Sequence, residues 1–175
     1  MNATVPHVSI LTLNVNGLNV PFKRYRTAEW KRTHQPTTCC LQETHLTHKD
    51  SHKLKVKGWK KTFHANGHRK QAGVAILISD KTSFIATVVK RDKKEHYIMV
   101  KGLVQQENIT ILSIYAANTG APKFIKPLLI DLRNEIAHHN SAGLQYSTDS
   151  TRQIIKTESQ QRNSRLKLYR RKKWT

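Results

Sequence analysis

Acidic side chains are scarce in this chain. Eleven Asp and Glu stand against 31 Lys and Arg, a formal charge of +20 over 175 residues. That imbalance excludes an ordinary neutral surface and points to a polyanionic partner, most simply nucleic acid, DNA or RNA. Cysteine is nearly as rare, with only Cys39 and Cys40. Neighbours on a strand point to opposite faces, so the two cannot bridge each other; they read as buried thiols of a reducing compartment. No apolar run approaches about eighteen residues, which argues against a membrane span. No basic amphipathic helix with bulky anchors offers a membrane surface either. The N-terminus lacks a basic n-region and Asn14 breaks its apolar run, so no secretory leader is expected. The acceptor-like strings Asn2-Ala3-Thr4 and Asn108-Ile109-Thr110 are then chance matches, and the expected location is nuclear or cytoplasmic, not secreted. Internal repeats and Pro-rich or Gly/Ser linkers are lacking. At this length the chain is one domain or a piece of one.

What is present alternates strand and helix signals. Val8 to Leu13 is apolar and β-branched, a first strand that runs into the turn-rich Asn14-Val15-Asn16-Gly17. Asn19 is placed to cap a helix with Pro21 in its first turn, and Phe22, Tyr25 and Ala28 recur along it at three-residue spacing. Lys31, Arg32 and His34 suit its last turn, and Pro36 stops it. Thr38 to Leu41 is a second strand. Gly58 to Ala65 reads as another, with Asn66-Gly67 as a hairpin turn and the basic loop His68-Arg69-Lys70 after it. Gly73 to Ile78 is a continuous apolar run, the mark of a strand buried on both faces. Phe84 to Val89, Tyr97 to Val104 and Ile109 to Tyr115 are further strands. From Pro122 the period becomes helical, with Ile125, Leu128, Leu129, Leu132 and Ile136 on one face; Pro127 either sets its first turn or kinks it. Residues 141–175 lose any period. From Arg152 onward Glu158 is the single acid among nine bases. The expectation is a basic, disordered tail over 141–175 behind a compact part over 1–140.

The second strand ends in Gln42-Glu43-Thr44-His45. A carboxylate at a strand's end suits Mg²⁺, which takes one or two protein oxygens and fills the rest with water and phosphate. Taken alone, Glu43 reads more readily as a solvated surface glutamate. His45, His48 and His52 are spaced for one helix face, but the polar residues between them favour a solvated face over a zinc site.

Taken together, Asn14-Val15-Asn16-Gly17, Gln42-Glu43-Thr44-His45, Gly73 to Leu77 and Ile114-Tyr115-Ala116-Ala117-Asn118 resemble the endonuclease/exonuclease/phosphatase superfamily, with its DNase I-like fold. Arg91-Asp92-Lys93, His96 to Gly102 and Asn118 to Pro122 are similar more narrowly to the endonuclease domain of LINE-type retrotransposons. The resemblance covers about residues 5–140. It implies an α/β (α+β) chain, a partial DNase I-like β-sandwich flanked by helices. It also implies a Mg²⁺-dependent phosphodiesterase that nicks DNA. By that likeness Glu43 holds the metal, Asn14 positions the phosphate or its ligands, and Tyr115 and Asn118 orient the scissile phosphate. Read without it, Tyr115 is a buried aromatic, and Asn14 and Asn118 are turn residues.

The pattern breaks after residue 140. The family's Gly-Asp-x-Asn segment should begin at Ser141-Ala142-Gly143, but Leu144-Gln145-Tyr146 follows. Its later Ser-Asp-His segment has no counterpart, Asp149 is not spaced to substitute, and His138 and His139 suit a helix end. The expectation is the N-terminal half of such a domain, with weak or absent Mg²⁺ binding, little or no nuclease activity, and a sheet face left uncovered. The alternative is a non-catalytic basic remnant that binds nucleic acid through Arg69, Lys70 and the run Arg170, Arg171, Lys172 and Lys173, the last also compatible with nuclear targeting.

Overall fold

The computed structural model describes residues 8–68, 70–115, 121–137, 144–149, 152–158 and 167–169. Strand β1 (Ser9–Asn14) leads to helix α1 (Pro21–His34) and strand β2 (Thr38–Gln42). A short 3-10 helix (His48–Leu54) precedes β3 (Lys61–Ala65) and β4 (Val74–Ile78). Then come β5 (Phe84–Arg91), β6 (Tyr97–Val104), β7 (Glu107–Ile114) and helix α2 (Ala121–Ala137). Three strands complete the order: β8 (Leu144–Asp149), β9 (Arg152–Glu158) and β10 (Lys167–Tyr169).

The strands form two five-stranded sheets, ordered β10-β1-β2-β4-β3 and β5-β6-β7-β9-β8. In the first, β1 is parallel to β2 and β10, while β4 runs antiparallel to β2 and β3. The second is antiparallel throughout. Alternation along each strand sends neighbours to opposite faces and so makes three apolar layers. Ile10, Cys40, Val74, Ile76 and Ile78 pack across to Phe84, Ile98, Val100, Ile109 and Ile111, filling the space between the sheets. On the outer side of the first sheet, Leu11, Leu13, Cys39, Leu41 and Leu77 pack with Trp30 of α1 and with Leu54 and Trp59. On the outer side of the second, Met99, Leu112 and Ile114 meet Ile125, Leu128, Leu129 and Leu132 of α2. The result is four layers, helix, sheet, sheet, helix.

Several local expectations give way to tertiary contacts. Asn19 does not cap α1: Val20 holds that position in extended backbone without a side-chain cap. Asn19 Nδ2 instead donates to His45 O at 2.7 Å. Phe22 and Tyr25 are exposed, whereas Thr27 and Lys31 are the buried residues of α1. Asn66-Gly67 is not a two-residue hairpin turn: β3 and β4 pair antiparallel, but residues 66–73 connect them, and Gly67 bridges Thr47. Pro127 lies inside α2, past its first turn. The expected uncovered sheet face also differs from what the described residues show. Backbone pairing of β9 to β7 and β8 to β9, and of β10 to β1, brings each sheet to five strands, although 141–175 gave no period in the sequence. Large apolar side chains exposed among the described residues are Val20, Phe22, Tyr25, Ile85, Val88 and Ile130.

Candidate active site

Two parallel strands end side by side in polar residues. Asn14 closes β1, Gln42 closes β2, and the two are register partners. By alternation both belong to the face that carries Ile10 and Cys40 into the inter-sheet core. The core therefore ends in a polar mouth between the sheets. Gln42 is fully buried, and its Nε2 donates to Ile114 O at 2.8 Å, reaching across to the end of β7. Tyr115 follows Ile114 directly, half-buried against the inter-sheet core, with its own N–H on His96 O at 2.7 Å. One buried amide thus ties the end of β2 to the end of β7.

Glu43 turns out of β2 in left-handed backbone, φ +54°, and His45 repeats the conformation at φ +53°. Non-glycine residues there store about 1–3 kcal/mol each and persist only where neighbours hold them. The hold is visible on both sides. Gly17 N donates to Glu43 O at 2.7 Å and Leu18 N to Thr44 O at 2.9 Å. Opposite, Thr44 N donates to Gly73 O at 3.1 Å and His45 N to Ala72 O at 2.8 Å. Gly73 sits at φ +109°, and a Cβ there would lie 2.4 Å from Thr44 Oγ1.

The Glu43 side chain is held as well. Asn14 Nδ2 donates to Glu43 Oε1 at 2.7 Å. Asn14 Oδ1 accepts from Asn16 N at 3.1 Å, which fixes the amide end that faces Glu43. Two cations from the first turns of α1 brace the adjoining loop: Lys23 Nζ donates to Asn16 O, and Arg24 Nη1 donates to Leu18 O and Asn19 O at 2.8 and 2.7 Å. The arrangement presents one fixed carboxylate at a strand end, beside a loop braced by two cations.

Of the residues expected at a site, Asn14 and Glu43 are in direct contact, and Tyr115 is drawn to the same end of the sandwich through Gln42. Asn118, Arg69, Arg170, Arg171, Lys172 and Lys173 lie outside the described residues. Lys70 is exposed, with Nζ 3.9 Å from Asp50 Oδ2. The three histidines singled out by spacing do not share a helix face. His45 precedes the 3-10 helix, and His48 instead neighbours His64 and His68, with ring centroids 6.4 and 5.9 Å away. Burial, then the nearby Arg91 and His48, keep the His64 imidazole below the usual histidine range. Among the described residues no group of three His, Cys, Asp or Glu side chains is placed to hold a metal ion. Glu43 alone supplies a hard, oriented oxygen, which fits a Mg²⁺ ion held through one protein carboxylate and completed by water and phosphate. Sequence reading gave no role to Gln42, Lys23 or Arg24. Gln42 lies in Gln42-Glu43-Thr44-His45, but its bond crosses between sheets, where no local period reaches.

No family model matches the chain. Solved structures do. TDP2 from Caenorhabditis elegans matches with a TM-score of 0.59 at 19% identity, over 79% of this chain and 45% of that one. Truncated TDP2 from the same organism gives 0.57 at 16%, over 78% and 59%. An AP endonuclease from Leishmania major gives 0.51 at 15%, over 74% and 46%. The chain spans about half the length of the solved structures it matches. At such identities the likeness is one of fold, and the fold of this chain is a two-sheet, helix-flanked DNase I-like architecture.

Proposed function

We propose that the mouth between the sheets is the metal- and phosphate-holding half of a phosphodiesterase site of the LINE-endonuclease kind, acting on DNA. The observation that carries this is the Asn14–Glu43 hydrogen bond of 2.7 Å, made at the joined ends of β1 and β2. Glu43 would hold Mg²⁺ through its carboxylate, and Asn14 fixes that carboxylate's direction. Tyr115 and Asn118 would orient the phosphate from the end of β7 and the segment after it. A bound Mg²⁺ would polarise a phosphoryl oxygen and neutralise charge developing on it. Hydrolysis also needs a group that activates the attacking water. Ser141-Ala142-Gly143-Leu144 stands where the LINE-type pattern carries its Gly-Asp-x-Asn segment, and that group is missing from it. Loss of one member of such a set costs orders of magnitude in rate. By itself, then, this 175-residue chain binds Mg²⁺ weakly and nicks DNA poorly or not at all.

A second reading is favoured by the charge of +20: the chain is a nucleic-acid-binding remnant in the nucleus or cytoplasm, contacting phosphates through Arg69 and Lys70 of the basic loop and through Arg170, Arg171, Lys172 and Lys173 of a basic tail over 141–175. No helix among the described residues is long and apolar enough to cross a membrane. Both readings require DNA binding. Fluorescence anisotropy of a labelled duplex should show affinity falling steeply, by about 10³ or more between 50 and 200 mM salt if six phosphates are engaged. Salt-insensitive or undetectable binding would overturn both. Mg²⁺-dependent cleavage in the same mixture separates them.

A further inference from the structure

A second cavity lies at the other end of β2 from Glu43, under the C-terminal half of α1. It is open to solvent on one side and has a volume of about 430 Å³, within the range of about 300–1,000 Å³ usual for small-molecule sites. Its walls come from three segments: Tyr25 to Pro36, Val56 to Trp59, and Ser79 to Lys81. Most of that wall is apolar.

Lys31 also lines it. This lysine is only 2% exposed, and no ion pair or hydrogen bond of its ammonium is seen among the described residues. Its charge rests on the Trp59 ring, with Nζ 5.1 Å from the centroid. Cation–π contact offsets part of the cost of burying an ammonium but supplies no acceptor. Glu29 is paired with Arg32 at 2.7 Å, and Asp80 Oδ1 accepts Lys60 N at 2.9 Å. Lys57 and Lys81 add further positive charge at the walls. An apolar cavity with a buried cation that lacks an anion is complementary to a molecule with one anionic end and an apolar body.

We propose that this cavity binds a small aromatic or aliphatic monocarboxylate, its carboxylate on Lys31 Nζ and its body against Trp59, Pro36 and Val56. The site is independent of Glu43 and carries no part of the phosphodiester chemistry.

The test titrates 3-phenylpropionate and its uncharged match, 3-phenylpropionamide, into the full chain by calorimetry. The acid should bind at least tenfold more tightly than the amide. Lys31→Met keeps the length and apolar character of the side chain and should reduce acid binding to the level of the amide. Ala28→Trp, which fills the cavity from α1, should abolish binding of both, and Glu43→Ala should change neither. Should Lys31→Met fail to fold by circular dichroism, the acid–amide ratio and Ala28→Trp decide. Equal affinity for acid and amide overturns the proposal. So do acid binding unchanged in either cavity variant and absence of binding to the wild type.

Discussion

Asn14 Nδ2 donates to Glu43 Oε1 at 2.7 Å across the ends of two parallel strands, 29 residues apart in the chain. The amide has both ends engaged, since its Oδ1 accepts Asn16 N. Glu43 is therefore aimed by a side chain that is itself aimed by the backbone. Around this pair lies a concentration of left-handed backbone, at Asn16, Gly17, Glu43, His45 and Gly73.

Asn14→Ala removes the donor to Glu43 and leaves Asn16 N without its acceptor. Asn14 is 3% exposed, so water replaces these bonds poorly. Loss of stability of about 1–3 kcal/mol is expected, read from the urea midpoint at constant slope. An unchanged midpoint would show that the pair does not hold the loop.

Gly73→Ala places a Cβ 2.4 Å from Thr44 Oγ1 at φ +109°. Strain there should cost about 1–3 kcal/mol. Because Thr44 N donates to Gly73 O, the displacement passes directly to the residue after Glu43. A thermal melt lowered by roughly 2–10 °C is the expected reading.

Cys39 and Cys40 are both fully buried, on opposite faces of β2, one under α1 and one between the sheets. Burial pushes the Cys39 thiol up to about 12, with Lys31 pulling weakly the other way. Burial, then Cys39, raise Cys40 further. Neither should react with iodoacetamide in native protein at pH 8, and both should react in urea. Fast labelling of the native chain would contradict the packing of β2.

Burial holds the Lys31 ammonium below the usual lysine range. A base with a lowered folded-state pKa destabilises the fold fully below that pKa. The cost fades as pH rises towards the unfolded value of about 10.4, because the unfolded chain binds more protons in that window. Lys31→Met should therefore be more stable than wild type at pH 7, and the gap should narrow by pH 10. A gap constant with pH would mean that Lys31 is not charged and buried.

Much of this architecture was legible in local pattern. The continuous apolar run at Val74 to Ile78 forms a strand whose five residues are all buried. Alternation on β2 correctly sent the adjacent cysteines to different layers. Glu43 stood out because a carboxylate ends a strand. What local pattern could not show is non-local. The Phe22 and Tyr25 row faces solvent because α1 buries Thr27 and Lys31 instead. Gln42 gains its role from a carbonyl 72 residues away. The pairing of β9 with β7 joins segments about forty residues apart, which no local period can show.

The most direct measurement is conversion of supercoiled plasmid to nicked circle by this chain in Mg²⁺, compared with Glu43→Ala. The account expects no conversion, or a rate so low that the two proteins are barely separable, while both bind the plasmid. Rapid nicking by the wild type that Glu43→Ala abolishes would contradict it, since the pocket would then be complete.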